Sequence, residues 1–185
     1  MAIGFSTKAQ TLMALQGQLK SAKIAPSHIF TVSDWKSNRK SCLQSIDSKI
    51  GKGPWIVRSS SSEEDTATAS HAGKFLSIQN VNKVNLIESI TNVIFSYRDP
   101  KNSDEVLIQP MLSNVKMSGV VFSHDPNTCA PYRVVNWSSG PETDRVTSGA
   151  SSSVWFHAAN SPYKVPVKLR IVIKLVEELL KIFQN

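Results

Sequence analysis

Arg58 stands where an apolar run meets a serine-rich loop, a position suited to binding an anion. It follows the apolar run 55–57, and Ser59 and Ser60 come directly after it. A guanidinium offers five donors in a planar fork that suits phosphate oxygens, and serine hydroxyls and loop amides can complete the cradle. The segment therefore suggests a nucleotide-phosphate site in which Arg58 acts on the phosphates. Composition alone favours a surface loop in which Arg58 pairs with an acidic residue of 63–65.

Strand signals flank this loop. The apolar run before Arg58 follows the turn residues 51–54, and another apolar run follows Gly73, so the sequence predicts a strand, a loop and a strand. Residues 59–62 are too polar, and too poor in apolar periodicity, to bury a face. We therefore expect them to lie exposed in the loop.

A second cation stands near the start of the chain. Ser6 or Thr7 can cap a helix whose apolar residues repeat from Leu12 to Leu19, which puts Lys8 in its first turn. A lysine is unfavourable beside the partial positive charge of a helix N-terminus, unless an anion binds where the free amides point. A solvated lysine explains the same pattern without a ligand.

Further elements must surround these residues. Ser33 or Asp34 can cap a second helix, and Asn82 can cap a third. Apolar runs over 105–112 and 117–123, separated by a few polar residues, predict an antiparallel pair of strands. Later patterns predict two more strands and a final amphipathic helix, over 132–137, 152–158 and 166–185.

Composition describes an ordinary globular chain with an excess of basic residues. The 185 residues are 41% hydrophobic and 19% charged, and the net charge of +7 suits an anionic partner. The charge is spread along the chain, so a nucleotide suffices and a nucleic-acid partner, which rests on charge alone, is not expected. No run is long enough to span a membrane and no signal peptide is recognisable, so we expect a cytoplasmic protein. Cys42 and Cys129 are far apart, which favours reduced, packed thiols over a disulfide or a metal site.

The loop and its flanks resemble the signature of a known nucleotide-binding domain. VRSSSSEEDTATASHAG, residues 57–73, matches without a gap the pattern VRSSATAEDxxxASFAG of the phosphoenolpyruvate synthase and pyruvate phosphate dikinase family, with His71 in place of an aromatic residue. The resemblance implies an α+β, ATP-grasp-like fold of the pyruvate phosphate dikinase N-terminal type, with a mostly antiparallel sheet and flanking helices. It also implies that Arg58, Ser59, Ser60 and Gly73 bind ATP.

The resemblance extends to the first helix. The segment from Lys8 to Leu15 is similar to the family's GGKxxxLxxL, in which the lysine contacts ATP phosphates, so Lys8 is a second candidate cation. Ser6 and Thr7 replace the two glycines, which have no side chain and so permit a closer approach of the backbone to the phosphates.

The segment VLIQPMLSNVKMSGVVFSHDPNT resembles the family's VVVQxMVxxxxSGVxFTxDPxTG, which contributes to the adenine pocket. Gln109, Met111 and Leu112 would then form the adenine wall through their backbone groups. Pro110 has no amide hydrogen, so only the amides after it could donate. Without the resemblance this segment is simply a core strand, and Ser118-Gly119 marks a close crossing of strands.

Two later features complete the comparison. Gly140 and Glu142 match a GLGE-like turn of the family, and Gly149 matches a glycine that follows later in its pattern. Glu142 either contacts the nucleotide or pairs with Arg145. No segment resembles the acidic strand DIEWA, which helps to hold the metal ions in the family. We therefore expect the ligands of Mg²⁺ to lie downstream of this chain.

Together these patterns predict a single, truncated nucleotide-binding domain over 1–185. Its expected subdomains are a phosphate-loop part, 1–104, and an adenine-hinge part, 105–185. The expected function is the ATP-binding portion of an ATP-dependent phosphotransferase whose phosphoryl acceptor the sequence does not identify. The portion alone is expected to bind ATP weakly and to lack turnover. The alternative is a non-catalytic nucleotide-binding or scaffold module.

Overall fold

The computed structural model describes residues 4, 6–61, 65–66, 69–70, 76–97, 99–140, 153–161 and 164–183. These ranges contain both helices and antiparallel strands, and most of the strands follow one another without a helix between them, so the fold is α+β. In chain order the elements are α1 (Lys8–Leu15), β1 (His28–Thr31), α2 (Val32–Ile50), β2 (Trp55–Ser60), β3 (Asp65–Thr66), β4 (Ala69–Ser70), β5 (Ser77–Val81), α3 (Leu86–Phe95), β6 (Glu105–Pro110), β7 (Met117–Phe122), β8 (Tyr132–Ser139), β9 (Ser153–Ala158) and α4 (Arg170–Phe183).

The chain divides into two compact units. The first unit comprises the described residues of Ile3–Gly17 and Ile24–Met111, and the second unit those of Gln18–Lys23 and Leu112–Asn185. The chain passes between the units on either side of Gln18–Lys23 and again after Met111, which follows β6. The expected subdomains 1–104 and 105–185 would divide it before β6. Every residue of β6 therefore lies in the first unit.

The first unit contains a four-stranded antiparallel sheet in the order β1-β6-β2-β5. Strand β6 is buried at every position from Glu105 to Gln109, as expected for a central strand covered on both faces. Helices α2 and α3 supply much of the remaining core, in which Ile46 and Ile90 are fully buried.

The predicted pairing of β6 with β7 is wrong. Strand β6 pairs with β1 and β2, and β7 pairs with β8 in a separate sheet. The closeness of β6 and β7 in sequence suggested a hairpin. In the structure β6 instead pairs with β1 on one side and with β2 on the other, both in the first unit. The short segment between the two strands instead carries the chain into the second unit.

Helices α2 and α3 begin at positions other than the predicted ones. Thr31 caps α2, because its hydroxyl accepts a bond from the amide of Asp34 at 3.0 Å while the carboxylate of Asp34 accepts from the amide of Thr31 at 2.9 Å. This reciprocal pair is a capping box, in which the bonds from Thr31 lower the pKa of Asp34. Asn85 precedes α3, whereas Asn82 accepts backbone bonds within the turn before that helix.

The second unit contains the antiparallel sheet β7-β8-β9 and helix α4, whose predicted strand and helix segments are confirmed. Trp137 and Val135 of β8 pack with Leu169, which lies just before α4. Gly119 faces Trp137 across the β7–β8 ladder, and a methyl group at Gly119 would lie 2.3 Å from the backbone oxygen of Asn136. The predicted close crossing of strands at Gly119 is therefore confirmed.

Both cysteines are free thiols. Cys42 is buried in the core of the first unit, as predicted, and burial raises the pKa of its thiol. Cys129 is exposed, so the expectation that it would be packed is wrong. It lies in the turn between β7 and β8, a region too polar to cover it. Among the helices within the described ranges, none has the length and apolar character needed to cross a membrane.

Candidate functional site

Arg58 and the two serines after it are the last three residues of β2. The expectation that residues 59–62 lie exposed is wrong for the three serines that the structure describes. Ser59 and Ser60 have no exposed surface, and Ser61 is 5% exposed. The strand extends further than its apolar residues because β6 continues beside it, so that Ser60 pairs with Glu105. Arg58 therefore sits within the sheet near the end of β2, not at the mouth of a loop.

Partners from distant parts of the chain satisfy the buried groups of Ser60. Its backbone amide donates to the hydroxyl of Tyr97 at 3.0 Å, and that hydroxyl donates to the backbone oxygen of Glu105. The hydroxyl of Ser60 accepts from the amide of Ala9 at 2.9 Å and donates to the carboxylate of Glu105 at 3.3 Å. Ser60 therefore links three distant parts of the chain, and these hydrogen bonds compensate for the burial of its polar groups.

The carboxylate of Glu105 is 6% exposed and lies at the N-terminus of α1. Thr7 caps the helix, as predicted, by accepting a bond from the amide of Gln10 at 3.2 Å. The hydroxyl of Thr7 donates to Oε2 of Glu105 at 2.6 Å, and the side-chain amide of Gln10 donates to Oε1. These bonds attach the first turn of α1 to the first residue of β6.

Lys8 occupies the first helical position of α1, as the sequence predicted. Its ammonium group lies 3.5 Å from the backbone oxygen of Ser59, the residue next to Arg58. Both Lys8 and Arg58 are partly buried. The fold therefore brings the two cations predicted from sequence to the same end of β2, although 49 residues separate them (58 minus 8, less 1).

The helix N-terminus itself is not an open anion site. The amides of Ala9 and Gln10 bond to the side chains of Ser60 and Thr7, and Glu105 supplies a carboxylate at this end of the helix. A negative charge is favourable there because the helix dipole is positive at its N-terminus. The protein thus provides this charge itself, which leaves the side chains of Lys8 and Arg58 as the candidate phosphate contacts.

The residues predicted to form the adenine wall differ in their surroundings. Gln109 is 8% exposed, and its side-chain amide donates to the hydroxyl of Ser27 at 3.0 Å. The amide of Met111 donates to the backbone oxygen of Pro54 at 2.9 Å. Leu112 is 66% exposed, and its amide has no hydrogen bond to a described residue. Of the two amides after Pro110, that of Met111 is therefore already bonded within the protein.

Two predicted site residues, Gly73 and Glu142, lie outside the described residues. Within the ranges that the structure does describe, no group of three or more histidine, cysteine, aspartate or glutamate side chains could hold a metal ion. In the second unit, an apolar cavity of about 120 Å³ lies beside β7 and next to Leu169 and Val172. Ligand pockets are roughly 300–1,000 Å³, so this cavity is too small for a nucleotide.

His28 is a structural residue of the first unit. It is 4% exposed, and its Nε2 lies 3.0 Å from the backbone oxygen of Cys42. Since a carbonyl oxygen only accepts, Nε2 carries the proton and Nδ1 is bare. Nδ1 is buried without a hydrogen-bond partner among the described residues. Burial therefore lowers the pKa of His28, because a second proton would place a charge in the core.

Sequence reasoning missed Glu105 and Tyr97. Glu105 was interpreted only as the first residue of an apolar strand, and Tyr97 only as part of the apolar face of the third helix. A carboxylate at the start of an apolar run could have indicated a buried polar contact, because a buried carboxylate requires hydrogen-bond donors. The donors themselves lie 98, 95 and 45 residues away, on Thr7, Gln10 and Ser60, so the sequence alone could not name them.

Comparison with known families gives one match. The family described as pyruvate phosphate dikinase, AMP/ATP-binding domain, matches residues 33–157, more than half of the chain. The chain belongs to this family. The resemblance to the phosphoenolpyruvate synthase and pyruvate phosphate dikinase family is thereby confirmed, and the family description names AMP or ATP as the ligand. Arg58, Gln109 and Met111 lie within the matched range of this AMP/ATP-binding domain, whereas Lys8 precedes it. A search of curated proteins found no match.

Proposed function

We propose that this chain is the ATP-binding portion of an ATP-dependent phosphotransferase of the phosphoenolpyruvate synthase type, with an ATP-grasp fold. The observation that carries the proposal is the position of Lys8 beside the end of β2. Its ammonium lies 3.5 Å from the backbone oxygen of Ser59, which is the residue next to Arg58 in the chain. Two cations supplied by separate elements suit a polyphosphate, because phosphoryl transfer depends on positioning and on positive charge against the phosphate oxygens.

Each cation has a distinct role in this proposal. Arg58 holds phosphate oxygens with its planar fork and is the residue that stabilises charge during transfer. Lys8 supplies a second, point-like charge. Ser59 and Ser60 shape the end of β2 from within, since both are fully buried and Ser60 is bonded to Ala9 and Glu105.

The remaining proposed contacts follow the family resemblance. Gly73 and Glu142 are proposed as further nucleotide-binding residues. Leu112 offers an exposed side chain and an amide to the adenine, with Gln109 and Met111 behind it as supporting residues. No group of three or more histidine, cysteine, aspartate or glutamate side chains in the described ranges could hold a metal ion, so the proposal includes no Mg²⁺ ligand from these ranges.

Isothermal titration with ATP in the presence of magnesium tests the proposal. Losing one charged contact costs roughly 1.5–3 kcal/mol, so Arg58→Ala should bind ATP about ten- to a hundredfold more weakly than the wild type. Lys8→Ala should lose affinity in the same range. Adenosine, which has no phosphates, should bind the two variants and the wild type equally.

Matched controls come from exposed basic residues of the first unit. Arg39→Ala removes an arginine of α2 that stacks 4.8 Å from the ring centre of Trp35, and Lys52→Ala removes a lysine from an exposed turn. Both change the net charge as the test variants do, and both should bind ATP like the wild type. Equal ATP affinity for Arg58→Ala and the wild type would refute the role of Arg58, and absence of ATP binding by the wild type would refute the proposed function.

A non-catalytic nucleotide-binding module is the second candidate. The observation that favours it is at the start of α1. The amides of Ala9 and Gln10 already donate hydrogen bonds to the side chains of Ser60 and Thr7, so they are not open to a phosphate group. A domain of this kind would bind ATP through Lys8 and Arg58 without transferring a phosphoryl group. ATP consumption by the chain, followed as phosphate or ADP release, would exclude this second candidate.

A further inference from the structure

We propose that Glu105 is a positioning residue of the nucleotide site, whose buried carboxylate fixes the first turn of α1 so that Lys8 stays beside the end of β2. This inference rests on the proposed function, because Lys8 is a phosphate contact only there. Glu105 does not itself contact the nucleotide. It acts through Thr7, Ser60 and Gln10.

Both carboxylate oxygens of Glu105 are engaged. Oε2 accepts from the hydroxyl of Thr7 at 2.6 Å and from the hydroxyl of Ser60 at 3.3 Å. Oε1 accepts from the side-chain amide of Gln10. With 6% of its surface exposed, Glu105 has little contact with water, so these three donors replace the hydration that its charge requires. The carboxylate is therefore tied to the protein at several points.

These bonds act on the residues that flank Lys8. Thr7, which precedes Lys8, donates directly to Glu105. Ala9, which follows Lys8, donates its amide to the hydroxyl of Ser60, and that hydroxyl in turn donates to Glu105. The backbone on both sides of Lys8 is thus held by one carboxylate. This arrangement fixes the point from which the side chain of Lys8 extends.

Helix α1 buries few of its residues. It contains 8 residues, of which Ala9 and Leu15 are buried, while Met13 is 52% exposed. Isolated helices of this length are unstable in water, and most helices in proteins depend on an apolar face that packs against the core. Since the apolar face of α1 is small, its polar attachment to Glu105 determines where the first turn lies.

The test uses the charge-neutral variant Glu105→Gln in the whole chain, titrated with ATP and, separately, with adenosine. Weakening the hydrogen bonds that the carboxylate of Glu105 accepts should weaken ATP binding roughly two- to tenfold. Adenosine binding should be unchanged, because the effect passes through Lys8 and not through the adenine wall. The matched control Glu88→Gln removes the same charge from an exposed position in the first turn of α3, and should bind ATP like the wild type.

A double-variant cycle separates positioning from general destabilisation. In a Lys8→Met background the phosphate contact is already lost, so adding Glu105→Gln should cause no further decrease in ATP affinity. Hydrogen exchange of the chain without ATP gives a second measurement, in which the amides of Ala9 and Gln10 should exchange faster in Glu105→Gln. If Glu105→Gln does not fold, the variants Thr7→Val and Thr7→Ser replace it in the test. Valine lacks the hydroxyl that donates to Glu105 and should weaken ATP binding, whereas serine keeps the hydroxyl and should not.

Three results would overturn the inference. The first is wild-type ATP affinity and wild-type exchange in Glu105→Gln, or in Thr7→Val if that variant has to be used. The second is an equal loss of affinity for ATP and adenosine, and the third is a further loss in the Lys8→Met background. If the wild type binds no ATP, the proposed function fails and the inference falls with it. If the wild type binds ATP and only the Glu105 results disagree, the inference alone fails.

Discussion

Replacing Gly119 by alanine should destabilise the second unit, because the strands β7 and β8 leave no room for a methyl group. The added Cβ would lie 2.3 Å from the backbone oxygen of Asn136 and 3.0 Å from the Cα atom of Trp137. Real Cβ atoms essentially never approach closer than 3.0 Å, so these groups must separate by at least 0.7 Å (3.0 minus 2.3). The obstacle is backbone, which cannot turn aside as a flexible side chain can.

The magnitude follows from this obstruction. Extra methyl groups in well-packed regions cost about 1–3 kcal/mol, and an obstacle in the strand ladder places Gly119→Ala toward the upper end, at about 2–3 kcal/mol. Moving β7 away from β8 also disturbs the packing of Trp137 on Leu169. For small proteins the free energy of unfolding falls by about 1–3 kcal/mol per molar urea, so the unfolding midpoint should decrease by roughly 0.7–3 M.

Urea unfolding followed by tryptophan fluorescence measures the effect, and hydrogen exchange of the amides in β7 and β8 locates it. Gly4→Ala is the matched control, because a Cβ at Gly4 has no heavy atom within 4 Å. It should change the free energy of unfolding by less than about 0.5 kcal/mol. A Gly119→Ala protein that unfolds at the wild-type urea concentration, with wild-type exchange in β7 and β8, would refute the reasoning.

Two further predictions concern titratable groups of the described residues. The pKa of His28 is lowered by burial, so the unfolded state binds more protons once the pH falls below about 6.5, and the free energy of unfolding should then decrease as the pH falls. A His28→Gln variant should show a flatter profile between pH 7 and pH 5, and an identical slope in both proteins would contradict the role of His28. Cys129 is exposed and Cys42 is buried with a raised pKa, so a thiol reagent should label Cys129 first and Cys42 only after denaturation. Equal labelling rates for Cys42→Ser and Cys129→Ser variants under native conditions would show that the thiols do not differ.

The sequence predicted most elements because their signals are local. The apolar run before Arg58 and the helical repeat before Tyr97 each identify an element without reference to the rest of the chain. Lys8 was likewise placed correctly in the first turn of a helix capped by Thr7. These predictions succeed where residue spacing and capping chemistry determine the local backbone.

The errors arise where the structure depends on distant partners. Ser60 is buried because Ala9, Tyr97 and Glu105 bond to it, and none of these is near it in sequence. A polar run was therefore interpreted as a loop when it was the end of a strand. The same limit produced the wrong β6–β7 pairing, since the partners of β6 are set by sheet order and not by the next apolar run along the chain. The resemblance located the cations but could not reveal the carboxylate that holds one of them.

The bond between Thr7 and Glu105 joins residues 98 positions apart, which affects when this part of the protein can form during synthesis. The eight residues of α1 emerge before β6, and a helix of that length does not persist by itself. Contacts between distant residues form slowly, because a long loop must close before they contribute. Helix α1 therefore cannot be fixed in place until β6 has been synthesised, and Lys8 reaches its final position only after that strand has formed.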